Sequence, residues 1–134
     1  MKNSNTLANQ KCLCGSEKAY HECCQPYHLK QTFPETAEKL MRSRFSAFEL
    51  HLKNYLLESW HQSTRPGNLE FTPGLHWIKL VINGRKKGRI KDQEGWVTFI
   101  AYFEHGNEQA YLHEKSYFKR DELNHWKYVD GDVK

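Results

Sequence analysis

Four cysteines stand within thirteen residues, as Cys12-Leu13-Cys14 and Cys23-Cys24, and the 110 residues that follow contain none. A disulfide framework staples distant segments, and this group could staple only itself. In a reducing compartment, a tight set of four thiols reads as a metal site. The spacing C-x-C-x8-C-C sets two sulfurs from one turn against two from a second. Thiolates in tetrahedral array at about 2.3 Å suit Zn²⁺. Gly15 lets the backbone turn around the ion. Ser16 is a candidate N-cap for a short helix over Glu17 to Glu22, which would carry Cys23 and Cys24 back to the first pair. Lys11, Lys18 and His21 would soften the negative charge of the four thiolates. His28 rivals Cys24 as the fourth ligand; otherwise it is a supporting or surface imidazole. No Cys-x-x-Cys lies on a βαβ unit, which argues against a redox pair. The remaining alternative is four reduced thiols without metal.

A second group emerges from periodicity. From Thr36 to Phe48, apolar residues recur at Ala37, Leu40, Met41, Phe45 and Phe48, the spacing of one helical face, with Thr36 as its N-cap. Arg44 projects inside that stripe, and Arg42 lies on the opposite side. Further on, Leu112, Glu114, Ser116 and Phe118 share one strand face; Tyr111, His113, Lys115 and Tyr117 share the other. If the Leu112/Phe118 face meets the helix, Glu114 points inward, where a carboxylate is costly unless paired. Arg44 is its natural partner. An Arg44–Glu114 pair with Ser116 alongside would either fix helix to sheet or line a small cavity. Such a cavity would recognise a small acid or a peptide terminus, or let Glu114 act as an acid–base catalyst. His113 falls on the outer face, and His51, His61, His76, His105 and His125 lack ligand spacing; all read as surface residues.

A third feature is charge. The net charge is +4, yet no acidic residue occurs between Glu70 and Asp92, where Lys79, Arg85, Lys86, Lys87, Arg89 and Lys91 fall. This is either a solvated basic hairpin or a docking patch for phosphate or an acidic protein. Trp77 and Trp96 flank it, so stacking with RNA is conceivable, though no RNA-binding signature is present.

These residues must be carried by compact elements. The chain has 134 residues, 38% of them hydrophobic and 27% charged, with a mean hydropathy of −0.86: room for one core under a polar surface. No run approaches the roughly 18 apolar residues of a membrane helix, and Met1 to Gln10 lacks a signal peptide's apolar stretch. The expected location is the cytoplasm. A second helix is expected from about Asn54 to Trp60, ending before Arg65-Pro66-Gly67. From residue 75 the period changes to two. Strands are expected over Trp77–Ile82, ended by Asn83-Gly84, then Gly95–Phe103, Ala110–Phe118 and Trp126–Val129. Turns fall at Gly106-Asn107 and Asp121–Asn124. Helices first and a meander after give an α+β class, with a helix pair laid across a curved antiparallel sheet.

The segment Cys12-Leu-Cys-Gly-Ser-Glu-Lys-Ala-Tyr-His-Glu-Cys-Cys24 resembles a SEC-C motif, the zinc module named for the tail of the bacterial preprotein translocase motor. With Gln25-Pro-Tyr-His28, Leu40-Met-Arg-Ser-Arg-Phe-Ser-Ala-Phe48, Tyr55-Leu-Leu-Glu-Ser-Trp60, Leu112-His-Glu-Lys-Ser-Tyr-Phe118 and Trp126-Lys-Tyr-Val-Asp-Gly131, the chain is similar to the YchJ-like family. That resemblance implies a SEC-C module over 1–30 and a nuclear transport factor 2-like (cystatin-like) domain over 31–134. It implies Cys12, Cys14, Cys23 and Cys24 as Zn²⁺ ligands and an adaptor that docks on another protein, chaperone- or ribosome-associated. Leu13 stands where such motifs often have proline, Glu17 where glycine is common, and Thr98 where relatives usually carry an acid. The last departure puts in doubt any chemistry that needs a carboxylate there.

Overall fold

The structure, a computed structural model, describes residues 4–134; residues 1–3 of the expected 1–30 module lie outside the described residues. In chain order it holds α1 (Ser4–Asn9), one 3-10 turn (Tyr20–Glu22), α2 (Gln25–His28), α3 (Ala37–Glu49) and α4 (Lys53–Glu58). Four strands follow: β1 (Leu75–Lys87), β2 (Glu94–His105), β3 (Glu108–Arg120) and β4 (Trp126–Val133). They form one antiparallel sheet in the order β1-β2-β3-β4. This is the α+β meander that the change of period announces. No described helix is long and apolar enough to cross a membrane.

Helix α3 starts where a hydroxyl can cap it. Thr36 Oγ1 accepts the Lys39 backbone N–H at 3.1 Å, which satisfies one of the open donors of the first turn. The stripe Ala37, Leu40, Met41 and Phe45 then meets Leu80, Val97, Phe99, Ala101, Phe118 and Trp126 from the four strands. Full burial of a side chain such as Leu40 or Phe118 contributes about 2–3 kcal/mol. This layer is the core, and it sets Arg44, 3% exposed, against the inner face of the sheet.

The strands run longer than expected, β4 to Val133 among them, and two of the changed boundaries have a clear backbone reason. Helix α4 ends at Glu58, because the next residues leave it to pair with β4. The Tyr128 N–H donates to Ser59 O at 2.9 Å and the His61 N–H to Tyr128 O at 2.7 Å, a parallel bridge that covers an edge the sheet would otherwise expose. Asn83-Gly84 does not end β1. The extra residue is absorbed as a bulge between Ile82 and Gly84, and pairing resumes with Gly84 opposite Thr98 and Lys86 opposite Trp96. A two-residue turn signal yields here because β2 pairs with the strand both before and after the bulge.

Candidate metal centre and interior cavity

The segment that bears the cysteines is a backbone knuckle, not a helix. Lys11 and Ala19 form an antiparallel bridge, with the Cys12 N–H on Lys18 O at 2.7 Å and the Tyr20 N–H on Gln10 O at 2.8 Å. Gly15, at φ +84°, makes the turn and presses on β1, where a Cβ would stand 3.3 Å from Leu80 O. The helix expected over Glu17–Glu22 shrinks to the 3-10 turn Tyr20–Glu22. Glu17 sits at φ +71°, which no right-handed helix tolerates. Ser16 Oγ accepts from the Lys18 N–H, two residues on, at 3.2 Å, so it closes a local turn and does not cap a helix.

This knuckle gathers all four sulfurs. Those of Cys12, Cys14, Cys23 and Cys24 lie within 4.8 Å of one another, with Cys14–Cys23 at 3.5 Å and Cys23–Cys24 at 3.9 Å. A tetrahedron of thiolates at about 2.3 Å from a central ion has edges of about 3.8 Å, so the set fits a metal ion. Cys12, Cys14 and Cys24 are buried and Cys23 half-buried. Hydrogen bonding from Cys12, then Cys23 and Cys24, pushes the Cys14 thiol far below its ordinary value. The same crowding, led by Cys12, takes Cys23 down to about 7. Cys12 and Cys24 are held up in turn, by the hydrogen bonds from Cys14 and Cys12 respectively. Close sulfurs therefore share protons until a cation replaces them.

His28 stands outside the four-sulfur cluster, with both ring nitrogens engaged elsewhere. Its Nε2 lies 2.8 Å from the Ser43 carbonyl, which can only accept, so Nε2 carries the proton. Nδ1 then accepts the Tyr20 hydroxyl at 2.6 Å. Burial lowers its pKa, against the pull of the Ser43 carbonyl and of Cys14. The neutral ring thus ties the knuckle to α3. Arg42, which lies away from the core stripe, does the same: Nη1 donates to Cys14 O at 2.8 Å, and Nε to Glu38 Oε2 at 2.9 Å. These two contacts seat the cysteine-bearing segment on the α+β domain. Two of the three cations expected to soften the cluster, Lys11 and His21, are engaged elsewhere. Lys11 pairs with Glu17, and His21 contacts Ala8 O. Helical periodicity placed Arg42 on the outer side, but nothing local says that the knuckle covers that side.

The inner face of the sheet holds the second group. Arg44, Glu114 and Ser116 line one cavity of about 160 Å³, with Phe48, Trp60 and Tyr128 beside them. The expected Arg44–Glu114 ion pair is not made. Arg44 Nη1 donates instead to Leu56 O at 2.8 Å and to Ser59 Oγ at 2.6 Å. Its guanidinium carbon stands 4.6 Å from the Tyr128 ring centre and 5.0 Å from that of Trp60. Burial draws its pKa down to about 10, against the pull of Tyr128, Tyr55 and Glu114. Glu114 Oε2 accepts the Ser116 hydroxyl at 2.7 Å, and its carboxyl lies over Gly131. Tyr128 and Trp60, which complete the box around Arg44, escaped sequence reasoning. They arrive through the β4 pairing of residues 59–61, which leaves no local pattern. Thr98 lies between Val97 and Phe99, which are buried in the core, and does not line the cavity. His113, expected at the surface, is half-buried, with Nε2 enclosed and unpaired among the described residues.

The basic segment is largely answered from within the chain. Arg85 pairs with Glu38, Lys87 with Glu94 at 4.0 Å and Arg89 with Asp92 at 2.9 Å. Lys86 lies over Trp96 at 5.2 Å and Lys79 over Tyr102 at 5.9 Å, and Trp77 packs on Phe45 and Phe103. Lys91 stays exposed. Neither flanking indole is a free stacking platform.

Comparison with known proteins gives two matches to separate stretches of the chain. Residues 9–26 match the SEC-C motif, and residues 36–131 match the description "YchJ, middle NTF2-like domain". A UPF0225 protein of Streptomyces coelicolor is 40% identical over 121 residues, 90% of this chain and 94% of its own. One from Bordetella pertussis is 39% identical over 126 residues, 92% of each. A SEC-C motif-containing protein of Rhodopseudomonas palustris, solved in solution, superposes with a TM-score of 0.82 at 27% identity, over 93% of this chain and 99% of that one. A crystal structure of another from Psychrobacter arcticus gives 0.77 at 25%, over 96% and 85%. Since the matched domain spans most of the chain and relatives of similar length share two residues in five, the chain belongs to the YchJ-like family.

Proposed function

We propose that this is a Zn²⁺-binding, non-catalytic adaptor of the cytoplasm, whose SEC-C head docks on another protein. Resemblance points to a partner associated with chaperones or ribosomes. The observation that carries the reading is the closed set of four sulfurs. Four protein thiolates fill a tetrahedral ion and leave no position for water or substrate, which is the pattern of structural zinc, not of catalytic zinc. Free thiols in this number also suit a reducing compartment.

The head is held firmly enough to present a fixed surface. Arg42 and His28 tie it to α3, while Leu13, between two of the ligands, is 40% exposed and Leu29 58% exposed. Affinity capture from lysate is the test, run with the intact protein, with Cys23→Ser plus Cys24→Ser, and with Leu13→Asp. The intact protein should hold about one zinc per chain and capture a defined partner. Leu13→Asp should keep the zinc and lose the partner. Identical partners from all three proteins, or purified protein without stoichiometric zinc, would sink the reading.

A further inference from the structure

A guanidinium taken out of water is costly unless its charge is answered. Arg44 is answered only in part. Nη1 makes both of its hydrogen bonds. Among the described residues Nε and Nη2 make none, and no carboxylate reaches ion-pair distance. The rings of Trp60 and Tyr128 soften the charge without cancelling it.

The carboxylate that could close the pair is turned elsewhere. Ser116 holds Glu114 Oε2, and the missing side chain of Gly131 leaves the room it occupies: a Cβ there would stand 2.1 Å from that oxygen. Ser116 and Gly131 thus keep Glu114 along the sheet and off Arg44. A pair that served only to fix helix to sheet would span the gap. Here the gap is a cavity of about 160 Å³, with Met41, Phe45, Phe99 and Leu112 among its apolar walls. A dry cavity of roughly 150 Å³ accepts a benzene ring.

We propose that this cavity binds a small monocarboxylate with an apolar body of about ring size, its carboxylate on the open nitrogens of Arg44. Two parallel N–H···O bonds from the guanidinium fork suit a planar carboxylate. The neighbouring Glu114 carboxylate disfavours a second negative charge, which excludes dicarboxylates. This site is independent of the zinc head and of its docking role.

The test is titration of the full-length zinc-loaded protein with benzoate, benzyl alcohol and benzylamine, read by the indole N–H resonance of Trp60. Benzoate should saturate and shift that resonance, with both uncharged and cationic analogues at least tenfold weaker. Ser116→Ala frees Glu114 to swing onto Arg44, so it should weaken benzoate about tenfold; Arg44→Met should abolish the preference for the acid. The wild-type titration and the mild serine variant decide the matter even where Arg44→Met does not fold. No shift with about 10 mM benzoate, an equal or stronger response to either analogue, or unchanged benzoate affinity in Ser116→Ala would each overturn the proposal.

Discussion

Glu17 shows how a single residue can be wrong for its place and still be carried. Its φ of +71° lies in the left-handed region, where a side chain costs about 1–2 kcal/mol relative to glycine. The Lys11–Glu17 pair, both side chains about three-quarters exposed, returns little of that. Glu17→Gly should therefore raise stability by about 1 kcal/mol, seen as a higher urea midpoint at unchanged metal content. A lower midpoint would mean that the ion pair matters more than the backbone. The cysteines were legible at this scale because ligand chemistry is carried by residue type and spacing alone. Arg42 was not, since its role depends on which segment folds over it.

At the scale of elements, α3 joins the two parts of the molecule. One face builds the core, and the other holds the knuckle through Arg42 and the Ser43 carbonyl. Arg42→Ala should cost about 2 kcal/mol and raise hydrogen exchange over residues 12–24, while β2 and β3 stay protected. Uniform loss of protection would contradict a local seat. The same helix supplies a pH dependence. Burial raises the pKa of Glu38, but hydrogen bonds from Arg42 and Arg85 outweigh it and leave the net value below the ordinary 4.5. A lowered carboxylate stabilises the fold above its unfolded pKa, and the contribution is lost as pH falls through the folded value. Glu38→Gln should thus lose stability at about pH 6 yet show a shallower decline toward about pH 4 than the parent protein. Parallel curves would refute that assignment. Metal content is followed in both proteins, because Arg42 links Glu38 to the Cys14 carbonyl.

For the whole molecule, the division of labour follows from size. Among the described residues, the buried ones of the head are Cys12, Cys14, Tyr20 and Cys24, so its core consists largely of its own cysteines. The α+β domain has an independent apolar layer between α3 and the sheet. Chelation should consequently expose residues 4–33 to protease while α3 and the strands resist, as limited proteolysis with mass spectrometry would show. A head still protected without metal would mean that the contacts of Arg42 and His28 suffice.

Sequence alone determined the order of the two main helices and four strands, the inward faces of α3, β2 and β3 and a four-thiol group spaced to hold a metal, because periodicity, turn residues and thiol spacing are local properties. The tertiary structure decided what depended on distant partners. Pairing with β2 carried β1 past Asn83-Gly84, and pairing with β4 ended α4 early and brought Trp60 to Arg44. The space over Gly131 drew Glu114 away from the cation it was expected to meet. Each outcome was settled by backbone hydrogen bonds and excluded volume between segments far apart in the chain, which no short window of residues encodes.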